Sequence, residues 1–216
     1  MLSDKEFVVI EGNIGSGKTS LVKKIAPLFD AKVILETFED NPFLPKFYED
    51  RERYAFPVEL SFLAARYRQL KKEIQNKDLF HRLTIADYHF LKSLIFAGET
   101  LPDDEYRLYR QLFDIIYEMV PVPDLYVYLH RPVDVLLKFI AKRGRDYEKL
   151  IDAAYLKKIQ SGYFRFFKEH PELRIVVIDI GDLDFIDDEN VFNNILEILN
   201  SDYSKGLTYR YLVQNE

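Results

Sequence analysis

Residues Gly12-Asn13-Ile14-Gly15-Ser16-Gly17-Lys18-Thr19 follow the full phosphate-loop pattern, and no other feature of the chain restricts its fold as much. The loop needs a strand before it and a helix after it. Both are legible here: Phe7-Val8-Val9-Ile10 reads as a buried strand, and Ser20 to Ala26 as the start of an amphipathic helix. Glycines in such a loop let successive backbone N–H groups turn inward around phosphate oxygens, and the helix N-terminus adds partial positive charge. Every residue from Gly12 to Thr19 is therefore a candidate nucleotide contact. Lys18 can reach the β- and γ-phosphates of ATP, and the Thr19 hydroxyl can ligate Mg²⁺.

Apolar runs at 7–11, 32–36, 83–87, 124–129 and 174–179 predict five buried parallel strands. Helical patterns fall between them, the longest from near Phe56 to about Gln75, with others over 103–119, 132–142, 152–169 and 189–200. No linker, repeat or low-complexity stretch interrupts the pattern, so one α/β domain over 1–216 is expected. Ligands of such sheets bind beyond the carboxyl ends of the strands. Gly12, Glu36 and Asp87 stand at three of those ends and are expected to converge.

A phosphate loop alone does not separate kinases from nucleotide switches. Arg143-Gly144-Arg145, after the helix that follows the fourth strand, places two guanidiniums around a flexible glycine. Such a segment, near 142–148, can close as a lid and neutralise charge on a transferring phosphoryl group. It can equally be a basic helix C-terminus that answers the helix dipole; the phosphate loop favours the lid.

Together with further segments, these motifs resemble the deoxynucleoside kinase family over nearly the whole chain. The matching segments are Asn41-Pro42-Phe43-Leu44 with Phe47-Tyr48, Arg53-Tyr54-Ala55-Phe56, Phe62-Leu63, Arg66, Ile95-Phe96-Ala97, Arg143-Gly144-Arg145 with Glu148, and Tyr155-Leu156. The closest likeness is to bacterial members. The resemblance implies a P-loop kinase fold with a five-stranded parallel sheet and helices on both faces, and a homodimer made through a helix pair. It implies transfer of the ATP γ-phosphoryl group to a deoxynucleoside 5′-hydroxyl. By position, Glu36 matches the general base, and Lys18, Arg143 and Arg145 complete the catalytic group. Tyr48 and Glu148 match the pair that holds the sugar 3′-hydroxyl, and Phe96 the aromatic that stacks on the base.

The chain departs from the family where the acceptor binds. The third strand of the family ends Asp/Glu-Arg-Ser, whereas this one reads Ile85-Ala86-Asp87-Tyr88-His89. Spacing from Phe96 puts Ala86 at the carboxylate position. A one-residue shift makes Asp87 the Mg²⁺-side carboxylate and is preferred, because a strand-end Asp beside a phosphate loop suits Mg²⁺ held through water. In either register the arginine is missing, leaving Lys92 or Arg66 to be recruited. Glu59 stands where the family has a base-reading glutamine, and Lys92 where it has the aspartate that faces the arginine matched by Arg66. Two readings follow. Glu59 can pair with Lys92 or Arg66 in a compensated swap, or it can accept from a donor-rich edge such as that of guanine or a pterin.

Composition narrows the remaining classes. Hydrophobic residues make up 48% of the 216, with no run of membrane-span length, and Met1–Glu6 lead straight into the first strand without a signal peptide. A soluble protein without membrane association is expected. Net charge −6 argues against a broad nucleic-acid face. Zero cysteines exclude disulfides and thiolate metal sites and fit a cytoplasmic location, and the four histidines lack metal-ligand spacing. The small-molecule kinase reading competes with two others: a nucleotide-binding protein with weak or no transfer, and a kinase of a related heterocycle.

Overall fold

A computed structural model gives the fold and describes residues 1–37, 41–75 and 80–212. Residues 213–216, the end of the expected domain, lie outside the described set. The sheet is built from β1 (Phe7–Gly12), β2 (Lys32–Ile34), β3 (Thr84–Ala86), β4 (Leu125–His130), β5 (Arg174–Asp179) and β6 (Gly206–Tyr211). Their order is β2-β3-β1-β4-β5-β6, and every pairing is parallel.

Among the described residues the expected five strands are six. β6 pairs with β5 from Arg174↔Gly206 to Asp179↔Tyr211. It is an edge strand with a largely exposed second half, so it lacks the continuous apolar run that marks a strand buried on both faces. β2 is shorter than the 32–36 run. After Ile34 the backbone leaves the ladder, and the Glu36 N–H donates to the Asp87 side chain instead.

Alternation along the strands divides the core. Val8, Ile10, Val127 and Val176 face one layer with α1 (Lys18–Ile25) and α8 (Glu189–Asn200). Val9, Tyr126, Tyr128 and Val177 face the other, with α2 (Leu44–Glu49), α3 (Arg51–Gln75), α4 (Lys92–Thr100), α5 (Asp103–Tyr117) and α7 (Ala153–Glu169). α6 (Val133–Arg143) follows β4 and leads to Gly144-Arg145.

α3 starts at Arg51, before the expected Phe56, because Asp50 caps it: the Arg53 N–H donates to Asp50 Oδ1 at 3.1 Å. Pro57 therefore lies inside the helix. α2 and α4 are short, nine residues or fewer, and carry no long amphipathic period of their own. Among the described residues no helix is long and apolar enough to cross a membrane.

Candidate active site

The phosphate loop takes its shape from glycines at three points. Gly15 and Gly17 have φ of 83° and 92°, the left-handed region that L side chains seldom enter. A Cβ on Gly12 would come within 2.3 Å of Ser16 Oγ. Two side chains brace the loop from behind. Asn13 Nδ2 donates to the Leu156 carbonyl at 2.8 Å and Asn13 Oδ1 accepts from the Ile14 N–H at 2.8 Å, so the Asn13 side chain is engaged within the protein. Buried Arg131, at the end of β4, donates through Nε to the Ser16 carbonyl at 3.2 Å and through its other nitrogens to Gly181 and Leu183 carbonyls. Sequence reading missed Arg131. Its only signal was an arginine directly after an apolar strand.

A cavity of 380 Å³ opens in front of the loop and extends between α2, α3 and α4. Its lining joins Lys18 and Thr19 to Glu36, Glu59, Phe96 and Glu148. Burial, followed by the charge of Lys92, pulls the Lys18 ammonium down to about 8. Asp87, 2% exposed, connects the two ends. Its Oδ2 accepts from the Thr19 hydroxyl, and its Oδ1 from the Glu36 N–H at 2.7 Å. Of the three strand-end residues, Glu36 and Asp87 meet directly, and Asp87 reaches the phosphate loop at Thr19, not at Gly12. Tyr88, one residue on, turns to Gln69, donating to its Oε1 at 2.7 Å.

The acceptor side is dominated by two carboxylates, each held by two cations. Glu36 accepts from Arg66 Nε at 3.1 Å and Nη2 at 2.5 Å on one oxygen, and from Lys92 Nζ at 2.5 Å on the other. Burial alone would raise its pKa, but Lys92 and Arg66 outweigh burial and hold the carboxyl far below the usual carboxylate range. Buried Glu148 accepts from Arg143 at 2.7 Å and from Arg145 at 3.3 Å. Tyr48 lies close by, buried and stacked on Tyr147 with centroids 6.3 Å apart. Burial and then the Glu148 charge push its phenol up. Phe96 lines the cavity, edge-on to Tyr163 and 5.4 Å from Lys92 Nζ.

Of the two readings of Glu59, the compensated swap is not found among the described residues. Glu59, Arg66 and Lys92 all line the cavity, but both cations are committed to Glu36. Among the described residues Glu59 makes no ion pair, and the Thr100 hydroxyl donates to its Oε1 at 3.0 Å. Glu36 meets both cations because the chain leaving β2 contacts α3, where Gln69 Nε2 donates to the Leu35 carbonyl at 3.0 Å, and reaches Lys92 on α4, a juxtaposition that residue spacing cannot reveal.

The arrangement can hold a nucleoside triphosphate at one end and place a carboxylate and several cations at the other, where a small acceptor fits. Known proteins agree with this geometry. The deoxynucleoside kinase family model matches residues 8–202. Deoxyguanosine kinase of Bacillus subtilis (strain 168) is 35% identical over 193 residues, covering 88% of this chain and 93% of that protein. Deoxyadenosine/deoxycytidine kinase of the same strain is 28% identical, covering 88% and 90%. The structure of deoxyadenosine kinase from M. mycoides with bound dATP matches with a TM-score of 0.76 and 25% identity, covering 90% of this chain and all of that one. With a P-loop kinase fold, a loop shaped for phosphates and a family match over most of its length, the chain belongs to the deoxynucleoside kinases, and its activity is ATP-dependent phosphoryl transfer to a deoxynucleoside.

Proposed function

We propose that the acceptor is a purine deoxynucleoside, with deoxyguanosine preferred, and that its 5′-hydroxyl meets the γ-phosphoryl group between Lys18 and Glu36. Asp87 carries this reading: one carboxylate bonds both Thr19, on the phosphate side, and the Glu36 backbone, on the acceptor side. The oxygens of Thr19 and Asp87 fit Mg²⁺, a hard cation that takes oxygen ligands, and bound there it would neutralise phosphate charge. Lys18 and the Gly12–Thr19 backbone hold the phosphates. Arg143 and Arg145 act as the lid near 142–148, within one domain spanning the chain.

Glu36 orients the hydroxyl and accepts its proton. Clamped by two cations it is a weak base, which suits a loose transition state where the proton leaves late. Lys92, 2.5 Å from Glu36, supplies positive charge where the third strand lacks an arginine. Tyr48 and Glu148 face the sugar, while Phe96, Arg66 and Glu59 surround the base. The guanine preference rests on Glu59: a carboxylate with no cation partner among the described residues suits adjacent N1–H and 2-amino donors. The name of the Bacillus subtilis relative at 35% identity supports the same choice.

Transfer of the γ-phosphoryl group from labelled ATP to deoxyguanosine, deoxyadenosine and deoxycytidine tests this reading. Deoxyguanosine should have the highest kcat/KM, and equal values for all three would defeat it. A cytoplasmic enzyme working as a homodimer fits the same reading. Leu108, Leu112, Ile115 and Met119 form an exposed apolar stripe on and just beyond α5. Arg107 and Arg110 lie towards one end of the stripe and Asp114 and Glu118 towards the other, so an antiparallel copy would match charges as well as apolar surface. Light scattering of an Ile115→Glu variant checks this contact: the variant should be monomeric.

A further inference from the structure

Of the four carboxylates lining the cavity, Glu36 and Glu148 are each held by two cations and Asp87 by Thr19 and a backbone N–H. Glu59 differs. It is 3% exposed, the Thr100 hydroxyl bonds Oε1, and Oε2 has no hydrogen-bond partner among the described residues. A carboxyl group in that setting has two chemical faces. Ionised, it only accepts. Protonated, it presents one O–H donor beside one C=O acceptor, the same pair that a glutamine amide presents.

We propose that Glu59 sets base selectivity through its own protonation, the carboxylate binding guanine and the neutral acid binding adenine. The proposal rests on the reading above that Glu59 meets the base. As the carboxylate, its oxygens accept from guanine N1–H and the 2-amino group. As the acid, it donates its O–H to adenine N1 and accepts from the 6-amino group. Each state mismatches the other base: the carboxylate has no proton for adenine N1, and the acid brings its O–H against a guanine donor.

The surroundings put the exchange near neutrality. Burial raises the Glu59 carboxyl, and Arg66, the Thr100 hydroxyl and Lys92 oppose it, leaving it at about 7. The groups facing it come from every neighbouring element: Arg66 on α3, Lys92 and Thr100 on α4, Glu36 after β2, Tyr109 on α5 and Tyr155 on α7. Burial raises the phenols of both tyrosines, so they stay neutral through this range, and Arg66 keeps its charge in the pair with Glu36. Lys18 titrates at about 8 but faces the phosphates. Its effect is common to both nucleosides and cancels in their ratio.

The test is the ratio of kcat/KM for deoxyadenosine to that for deoxyguanosine, with ATP and Mg²⁺ saturating, from about pH 6 to about pH 8. In the wild type the ratio should fall as pH rises, by up to about tenfold per pH unit. In Glu59→Gln it should be flat and shifted towards deoxyadenosine. A flat wild-type ratio with deoxyguanosine preferred, and that preference lost in Glu59→Gln, overturns the proposal while leaving the guanine reading intact. A flat ratio with the same preference in both proteins removes Glu59 from the base site and takes both readings down. Calorimetry on the wild type alone, in buffers of different ionisation heat, gives a second check. Near neutral pH deoxyguanosine binding should release protons and deoxyadenosine binding should take them up. Identical proton counts for the two would also overturn the proposal.

Discussion

Gly12–Thr19 reach the cavity as one uninterrupted segment, with a geometry fixed by the backbone and by glycines at positions that demand them. The acceptor side instead draws Glu36 from the end of β2, Glu59 and Arg66 from α3, Lys92 and Phe96 from α4, and Glu148 from the segment after α6. The electrostatics differ in the same way. On the phosphate side Lys18 makes no side-chain ion pair among the described residues, and its lowered pKa records a cation awaiting an anion. On the acceptor side the cations already have their anions: Glu36 holds Arg66 and Lys92, and Glu148 holds Arg143 and Arg145. A preformed phosphate loop needs little rearrangement to bind. On the acceptor side the same groups hold one another in buried ion pairs, so single substitutions there should affect folding and catalysis together.

Breaking the phosphate half should have the largest and simplest effect. Lys18→Ala removes a charge-assisted phosphate contact that nothing else replaces. It should lower kcat/KM on the order of a thousandfold with little change in thermal stability. Steady-state kinetics and a melting curve on the same sample check both parts. Unchanged turnover would show that the loop is not the donor site.

The same kind of change on the acceptor side should not separate so cleanly. Glu36→Gln should lower kcat by roughly a hundredfold or more, and it also leaves two buried cations facing a neutral amide, at a cost of about 3–5 kcal/mol. Denaturant titration should show that loss. The wild type should show it as acid sensitivity. Because the folded-state pKa of Glu36 lies below its ordinary value of 4.5, its stabilisation is present above about 4.5 and is lost as pH falls below it. If Glu36→Gln retained wild-type stability, the double clamp would contribute nothing and the contrast between the halves would collapse.

Asp87 belongs to both halves, so its variant sharpens the comparison. Asp87→Asn keeps a hydrogen bond to the Glu36 N–H but loses the charge beside Thr19. It should raise the Mg²⁺ concentration for half-maximal activity about tenfold or more while moving the nucleoside KM little. A shift confined to the nucleoside KM would place Asp87 on the acceptor side alone.

A last effect concerns stability without ligands. The Glu59 carboxyl is raised from 4.5 to about 7, so any stability linked to it is full below about 4.5 and is lost as pH rises through 7. Glu59→Gln has no charge to bury and should abolish that decline, worth at most about 3 kcal/mol above neutrality. Melting temperatures across this range measure it. Parallel pH profiles of both proteins would show that Glu59 is ionised throughout.

The sequence by itself determined the phosphate half and most of the sheet. Hydrogen bonding and left-handed glycines act between near neighbours, so Gly12–Thr19 carries its geometry in its own order. Strands buried on both faces must be apolar throughout, which made β1, β4 and β5 legible within about a residue at each end. β6 escaped because an edge strand needs no such run, and α2 and α4 because short helices hold their place by packing. Only the tertiary structure decided who pairs with whom on the acceptor side. Glu59 and Arg66 lie seven residues apart on one helix, yet Arg66 bonds Glu36, thirty positions away in the chain. Charge pairing depends on separation in space and on burial, and for residues on different elements neither quantity is written in their spacing. That is why the chain left Glu59 open between a compensated pair and a base contact, whereas in the folded molecule it is a buried carboxyl with no ion pair among the described residues.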